Sequence, residues 1–260
     1  MEKRRYALRL AYQGWAFRGF QRQPGLPTVQ EALERALSAL GIAPRLEMAA
    51  RTDAGVHALA QVVSFSARAD LDPQALRAAV NRETPPELWC LEAMPVPASF
   101  HARASAASRR YLYLVGLPPP PQVAPYAWTL PDDRAFPGLR PERLDASAMR
   151  SALEAALGEH DFRSFARPGE QRGTVRTLTR AEVLEATWAP LWAVVLEGRG
   201  FLRAMARNLV GTAVTVGLGL APPARLGEML SAGGRYRGVR APGWGLTLAG
   251  VSYPGGPWGG

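Results

Sequence analysis

Cysteine is almost absent from this sequence of 260 residues, in which Cys90 is the only one. A lone cysteine excludes a disulfide framework and a cysteine-based metal site. Histidine is also rare, and His57, His101 and His160 do not have the spacing of a structural zinc site. We therefore expect no bound metal.

Apolar runs that would mark a signal peptide are absent from the N-terminal residues. The longest uncharged stretch, residues 111–131, is long enough to span a bilayer but contains six prolines. Because each proline removes a backbone hydrogen-bond donor, this stretch does not predict a membrane helix. We expect a cytoplasmic protein with no membrane association.

Acidic residues are outnumbered, since 31 lysines and arginines face 22 aspartates and glutamates and give a formal net charge of +9. So basic a chain favours a polyanionic partner. Residues 199–240 hold seven arginines and one acid, and residues 99–110 hold three arginines and no acid. Any single arginine here is best explained as a solvated surface residue, but the two stretches together predict a surface that binds phosphates.

Hydrophobic periodicity predicts two successive β-α-β-β-α-β units, which indicate an α+β fold of duplicated ferredoxin-like halves. We place the first half at residues 1–107 and the second at residues 108–253. A helix predicted over residues 201–216 puts Arg203 and Arg207 on one face. The Gly- and Pro-rich tail, residues 254–260, is expected to be disordered.

The most unusual segment is a loop between two predicted strands, residues 51–58, which reads RTDAGVHA. Aspartate favours turns and caps, so a structural Asp53 is the default interpretation of this loop taken alone. Arg51 lies two residues away, and a nearby guanidinium favours the ionised form of a carboxylate. Such a carboxylate can serve as a nucleophile or a base.

The same loop resembles the signature of the tRNA pseudouridine synthase A family, and other stretches resemble further blocks of that family in the same order. These are residues 12–23 (YQGWAFRGFQRQ), 100–103 (FHAR) with 109–113 (RRYLY), 160–165 (HDFRSF), 201–211 (FLRAMARNLVG) and 241–248 (APGWGLTL). Ala50 and Ala206 stand where the family usually has Gly and Val, and neither replaces a reacting group. The proline-rich residues 117–141 lie outside the resemblance.

The resemblance implies a pseudouridine-synthase-like fold, in which the two ferredoxin-like halves join their antiparallel sheets around a central cleft. It implies isomerisation of uridine to pseudouridine at positions 38, 39 and 40 of the tRNA anticodon stem-loop, on a nucleotide flipped out of the helix. The N1–C1′ bond breaks and C5 bonds to C1′. Since no atom enters or leaves, no cofactor is expected.

The resemblance also assigns roles to four residues. Asp53 matches the catalytic aspartate, which attacks the sugar or the base or takes a proton from the sugar, and the sequence does not choose among these. Arg207 matches the arginine that pairs with this aspartate. Tyr111 matches the tyrosine that stacks on the target base near C5, and Leu246 matches the apolar residue that packs against that base. Without the motif, Tyr111 is better explained as half-buried core.

Further candidate contacts to tRNA are polar residues, most of them close to the basic stretches or to the Asp53 loop. They are Arg18, Gln21, Arg22, Arg51, Thr52, His101, Arg103, Arg109, Arg110, His160 and Arg203. Their binding energy has to offset the cost of flipping a base, about a few kcal/mol. The family resemblance implies a homodimer whose two subunits share one tRNA.

Two other classes of function fit parts of the sequence. A ferredoxin-like sheet with strand aromatics also serves as a non-catalytic RNA-binding platform, although such a platform has no need of Asp53 in an arginine-flanked loop. A nucleoside or sugar hydrolase could use Asp53 and Asp161 as paired carboxylates, but this leaves the basic surface unexplained.

Overall fold

The computed structural model describes residues 3–68, 70–167, 169, 173–256 and 258. The chain forms two compact units, unit 1 of Met1–Arg109 with Leu248–Gly260, and unit 2 of Arg110–Thr247. Part of the tail for which we predict disorder, residues 257, 259 and 260, lies outside the described residues. Of the described tail residues, Trp258 donates its indole N–H to the Glu92 carboxylate.

Unit 1 follows the predicted order of elements. It contains β1 (Arg4–Tyr12), α1 (Val29–Ala39), β2 (Glu47–Met48), β3 (His57–Ala67), α2 (Pro73–Glu83) and β4 (Leu88–Val96). The strands pair antiparallel in the spatial order β4-β1-β3-β2. Both the order along the chain and the order in the sheet are those of a ferredoxin-like unit, so the prediction for this half is confirmed.

Local sequence signals begin both helices of unit 1. The Thr28 hydroxyl accepts a hydrogen bond from the Glu31 backbone N–H at 3.3 Å. The Asp72 carboxylate accepts one from the Ala75 N–H at 2.7 Å, and Pro73 follows it at the first helical position. Both are standard N-terminal caps, which satisfy backbone donors that the first turn leaves unpaired.

The second half repeats the pattern with additions. It contains β5 (Ser108–Gly116), β6 (Ala127–Thr129), α3 (Ala146–Glu154), β7 (Gly158–Asp161), β8 (Val175–Glu185), β9 (Leu191–Gly198), α4 (Met205–Gly217), α5 (Arg225–Ala232) and β10 (Leu246–Ser252). Strands β5, β9 and β8 are neighbours in that order, as β1, β3 and β2 are in unit 1, and β7 extends the edge. The predicted α+β fold with an internal repeat is confirmed, while β6 and β7 were not predicted.

The helix predicted over residues 201–216 was placed too early, because α4 begins at Met205. Ala204 has a left-handed backbone with φ +66° and interrupts helical geometry at that point. Arg203 therefore lies in the turn before the helix and Arg207 in its first turn. The prediction that the two arginines share one helix face is wrong.

The proline-rich residues 117–141 are ordered around one buried tryptophan. Trp128 is fully buried, stacks on Phe136 with ring centroids 5.8 Å apart, and donates its indole N–H to Asp132 at 2.8 Å. The short strand β6 of this stretch pairs in parallel with β5. In the described part of the chain, no helix combines the length and the apolar character needed to cross a membrane.

Candidate active site

The loop that carries Asp53 joins β2 to β3 in unit 1. It turns at residues 53–56, where the Val56 N–H donates to the Asp53 carbonyl at 3.2 Å. Gly55 has φ +79°, a conformation that glycine adopts without steric cost. Thr52 and Val56 are buried on either side of the turn, while Asp53 itself is half-buried. The turn thus keeps the aspartate accessible to solvent between two buried anchors.

Two glycines of the N-terminal motif lie directly against this loop. A Cβ atom added at Gly14 would lie 2.3 Å from the Val56 carbonyl oxygen, and one added at Gly19 would lie 2.9 Å from the Thr52 carbonyl oxygen. The Phe20 N–H also donates to the Thr52 carbonyl at 3.1 Å. The glycine spacing of the motif therefore allows its backbone to support both ends of the Asp53 turn.

A buried glutamine fixes the start of the loop. The Gln61 side chain donates to the Ala50 carbonyl at 2.7 Å and accepts from the Ala50 N–H at 3.1 Å. Its amide also donates to the Tyr12 hydroxyl at 3.2 Å, and that hydroxyl lies 2.8 Å from Thr52 Oγ1. Burial raises the pKa of Tyr12 to about 12, so the phenol stays protonated in this network. Gln61 thus takes the place of a backbone partner for Ala50, just beyond the end of β2 at Met48.

His57 holds the other side of the loop to the N-terminal motif. The Gly14 N–H donates to His57 Nδ1 at 3.0 Å. The indole of Trp15 meets the imidazole edge to face, with ring centroids 5.1 Å apart. An imidazole nitrogen that accepts an N–H bond carries no proton, so the neutral tautomer protonated at Nε2 is present. His57 is buried. This geometry supports a bracing role for the histidine.

In unit 2, Tyr111 and Tyr113 are buried on the same face of β5. The Tyr111 ring meets the Phe201 ring edge to face, with centroids 4.9 Å apart. The Tyr113 hydroxyl donates to the Pro242 carbonyl at 2.9 Å, and its ring meets Trp128 edge to face. The two tyrosines therefore have different neighbours although they share one strand face.

Arg207 is oriented by the segment that precedes β10. Its Nε donates to the Ala241 carbonyl at 2.7 Å, and the Ala241 N–H donates back to the Arg207 carbonyl at 3.2 Å. Burial raises the pKa of Tyr113 well above its ordinary value, and the nearby charge of Arg207 opposes this rise only in part. The Arg207 guanidinium thus lies near a neutral, buried phenol.

Leu246 begins β10 and is buried. The residue before it, Gly245, lies flat against Tyr113, since an added Cβ would be 2.5 Å from a ring carbon of that tyrosine. Unit 2 therefore brings Tyr113, Arg207 and the start of β10 together around one short segment. Among the described residues, no group of three or more His, Cys, Asp or Glu side chains is placed to hold a metal ion.

The predicted RNA-contacting arginines have different environments. Arg18, Arg51 and Arg103 are exposed. Arg22 pairs with Glu34 at 3.0 Å, and Arg110 pairs with Glu197 at 2.7 Å. Both of these ion pairs leave the arginine side chain more than half exposed, at 61% and 51%, so each guanidinium can still reach a phosphate. Two further candidates in unit 1 also differ in exposure, since Gln21 is exposed and Thr52 is buried.

Arg109 differs from these arginines because it is buried. Its guanidinium donates twice to the Ala49 carbonyl, at 3.0 and 3.1 Å, and also to the carbonyls of Ala106 and Arg103. A guanidinium has five N–H donors in a fixed fork, and four hydrogen bonds to carbonyls occupy most of them. This geometry gives Arg109 a structural role and disfavours the predicted contact with RNA.

The two histidine candidates are half-exposed, and His101 Nε2 lies 3.7 Å from the Glu47 carboxylate. His101 Nδ1 accepts from the backbone N–H groups of Arg103 and Ala104, at 3.1 and 3.3 Å. His160 Nε2 lies 2.7 Å from the Leu157 carbonyl. Arg203 is half-exposed too, and its carbonyl accepts from the Arg167 N–H at 2.9 Å. Contacts of these residues with RNA stay predictions.

Comparison with known proteins identifies the family. The family described as tRNA pseudouridine synthase matches residues 10–103 and 152–254, which is more than half of the chain. The chain belongs to this family. A tRNA pseudouridine synthase A from Bordetella petrii is 41% identical over 257 residues, covering 96% of this chain and 91% of that protein. One from Thermus thermophilus is 38% identical over 254 residues, covering 96% and 97%.

Among solved structures, a Cbf5-Nop10-Gar1 complex aligns with a TM-score of 0.32 and 16% identity, covering 79% of this chain and 46% of that chain. The two segments that match the pseudouridine synthase family contain the Asp53 loop, α4 and the segment before β10. Residues 104–151, which include Tyr111, Tyr113 and the proline-rich stretch, lie between them.

Sequence reasoning missed the supporting residues of the candidate site. Gln61 is fully buried, and the apolar stretch around it was the available signal, because a polar residue in a buried strand needs partners. Arg109 could have been found by extending the alternation of β5, which buries residues 109, 111 and 113 and exposes Arg110. Ala241 gave no signal, since its contribution to the site is made by backbone atoms.

Proposed function

We propose that this protein isomerises uridine to pseudouridine at positions 38, 39 and 40 of the tRNA anticodon stem-loop, with Asp53 as the catalytic aspartate. One observation carries the proposal most directly. The family signature falls on a turn supported by Gly14, Gly19 and Gln61, and on this turn Asp53 is half-buried and keeps part of its surface in contact with solvent. A reacting group held in this way is preorganised, which reduces the cost of reaching the transition state.

The proposed reaction balances without a cofactor. The N1–C1′ bond breaks, the uracil turns, a C5–C1′ bond forms, and the C5 proton is lost while N1 gains one. Asp53 acts on the sugar or the base, and Arg207 works with it in the same step. Tyr111 stacks on the uracil near C5, and Leu246 packs against the uracil. The matched family segments contain Asp53, Arg207 and Leu246 and support their assignments. The assignment of Tyr111 is supported by the resemblance of residues 109–113 to a family motif.

The proposed substrate is a uridine flipped out of its stack, which costs about a few kcal/mol. The net charge of +9 supports phosphate binding as the compensating term. We assign phosphate contacts first to the exposed arginines Arg18, Arg51, Arg103 and Arg110. A homodimer in the cytoplasm completes the proposal and rests on the family resemblance alone. Sedimentation of the protein with and without tRNA tests the dimer.

Release of tritium from tRNA that carries C5-tritiated uridine tests the reaction itself. Wild-type protein is expected to release tritium at the modified positions, and Asp53→Asn is expected to bind tRNA without release. Asp133→Asn is a matched control, because that aspartate is exposed and its contacts, with Arg140 and the Gly138 N–H, lie within the proline-rich stretch. Equal release by wild type and Asp53→Asn would remove Asp53 from the chemistry.

The same assay separates the two other classes of function. An RNA-binding platform would release no tritium from any variant, and a hydrolase would liberate free base. Asp161, the second carboxylate of the hydrolase hypothesis, accepts from the Arg163 backbone N–H at 3.0 Å and from its guanidinium. These hydrogen bonds lower the pKa of Asp161, together with one from Thr174, which has the largest effect. They are typical of a capping residue and disfavour a catalytic acid.

A further inference from the structure

The backbone of residues 239–246, which we name the strap, lies against α4 and Tyr113 in unit 2. Its first contact is with Gly211 of α4, where an added Cβ would lie 1.8 Å from the Val239 carbonyl oxygen. No side chain other than a hydrogen atom fits at this distance. The strap backbone therefore lies directly on the helix one turn after Arg207.

The next strap residues bind Arg207 and Tyr113 through their backbone. Ala241 exchanges two hydrogen bonds with Arg207, one of them to the guanidinium Nε at 2.7 Å. The Pro242 carbonyl accepts from the Tyr113 hydroxyl at 2.9 Å. Gly245 then packs on the ring of the same tyrosine. These two contacts with Tyr113 restrict the backbone of the strap between Pro242 and Gly245, and Leu246 is the next residue.

This arrangement links the orientation of one side chain to the position of another. The Nε–H of a guanidinium lies in the plane of its fork, so the Ala241 carbonyl fixes the direction in which the remaining N–H groups of Arg207 point. The strap ends at Leu246, so its conformation also sets where β10 begins. Tyr113 contacts the strap at both Pro242 and Gly245.

We propose that Tyr113 is a positioning residue, whose hydroxyl holds the strap so that Arg207 and Leu246 are both placed for the reaction. The proposal rests on the proposed function, because Arg207 and Leu246 take their roles from it. Tyr113 would not touch the uridine. Its effect passes through the Pro242 carbonyl to Ala241 on one side and to Leu246 on the other.

Tyr113→Phe tests the proposal, with Tyr253→Phe as the matched control. Each variant removes one buried phenol that donates to a backbone carbonyl, in the control to Ala102 at 2.7 Å in unit 1. We expect similar losses of thermal stability. Only Tyr113→Phe is expected to lower the single-turnover rate, by about tenfold, with the Kd for tRNA unchanged. In an Arg207→Lys background, Tyr113→Phe is expected to lower that rate by a smaller factor than it does alone, because only its effect through Leu246 remains.

Gly211→Ala provides an independent test on the helix side of the strap. Its methyl group would displace the Val239 carbonyl, whereas the methyl of Gly217→Ala in the same helix would meet the flexible side chains of Met149 and Leu144. Gly211→Ala is expected to lower the single-turnover rate more than Gly217→Ala at equal tRNA affinity. If Tyr113→Phe does not fold, the comparison of Gly211→Ala with Gly217→Ala tests the proposal instead.

The outcomes separate the inference from the proposed function. Wild-type protein that releases no tritium from tRNA would refute the proposed function, and with it the inference. Active wild type with equal rates for Tyr113→Phe and Tyr253→Phe would overturn the inference and leave the function in place. Additive rate losses from Tyr113→Phe and Arg207→Lys would likewise refute action through Arg207.

Discussion

Gly19→Ala offers a direct test of how the Asp53 loop is supported. Gly19 has φ +97°, and a Cβ there would lie 2.9 Å from the Thr52 carbonyl oxygen and 3.3 Å from the carbonyl carbon of Asp53. The obstructing atoms belong to the backbone of the loop, so the loop itself has to move. Gly25→Ala is the control, because Gly25 also has a left-handed backbone, with φ +70°, but an added Cβ meets no atom within 4 Å.

The structure gives a magnitude for each variant. Left-handed backbone costs a non-glycine residue about 1–2 kcal/mol, and both variants carry this cost. At Gly19 the added methyl also strains the hydrogen bond from Phe20 N–H to the Thr52 carbonyl, worth about 1 kcal/mol. The free energy of unfolding should therefore fall by about 1 kcal/mol more in Gly19→Ala. A shift of Asp53 approaching 1 Å would lower the rate by up to about a hundredfold.

Urea unfolding and single-turnover tritium release would measure the two effects separately. We expect Gly25→Ala to lose stability and keep the wild-type rate, and Gly19→Ala to lose both stability and rate while still binding tRNA. Equal rates for the two variants would show that the close contact at Gly19 does not position Asp53. A rate loss with weakened tRNA binding would point to an RNA contact of this segment instead.

Three further perturbations test other buried groups of the structure. Tyr12→Phe leaves buried partners unpaired beside Asp53, so we expect the free energy of unfolding to fall by about 1–3 kcal/mol and the single-turnover rate to decrease. Tyr6→Phe, at the other end of β1, should lower only the free energy of unfolding in the same urea and tritium assays. Arg109→Met removes the donors for buried carbonyls, so urea unfolding should show a free energy of unfolding lower by about 3 kcal/mol, against about 0.5 kcal/mol or less for Arg110→Met. We expect the tRNA affinity of Arg109→Met to be unchanged. A weaker affinity would support the predicted contact of Arg109 with RNA. Burial raises the pKa of Cys90 to about 12, so its protonated thiol should react with a disulfide reagent only after denaturant is added, and rapid labelling of native protein would contradict this.

Elements that depend on local signals were predictable from the sequence. The caps at Thr28 and Asp72 begin α1 and α2, and such caps can be found from the sequence because the capping bond joins residues three apart. The start of α4 was not predictable in the same way. Phe201, Met205 and Leu209 keep a helical period, and nothing in the sequence reports that Ala204 adopts a left-handed backbone.

In the candidate site, too, local sequence signals were predictable and contacts with distant residues were not. The loop with Asp53 was found from its own sequence, but its supports come from far along the chain, as in the Gln61 bonds to Ala50. Arg109 and Arg110 are adjacent and chemically identical, yet one is buried and the other exposed, because successive residues of a strand point to opposite faces. Charge counting alone could not separate them.

Gln61 imitates a peptide group, and this limits which residues can replace it. Its carbonyl oxygen accepts from Ala50 and Val62, while its NH₂ group donates to Ala50 and Tyr12, so both ends of the amide are in use. Glutamate has the length but no donor, and asparagine has the chemistry but is one methylene short. The Gln61 side chain thereby holds Ala50 as a neighbouring strand would, and an amide of this length is what makes that possible.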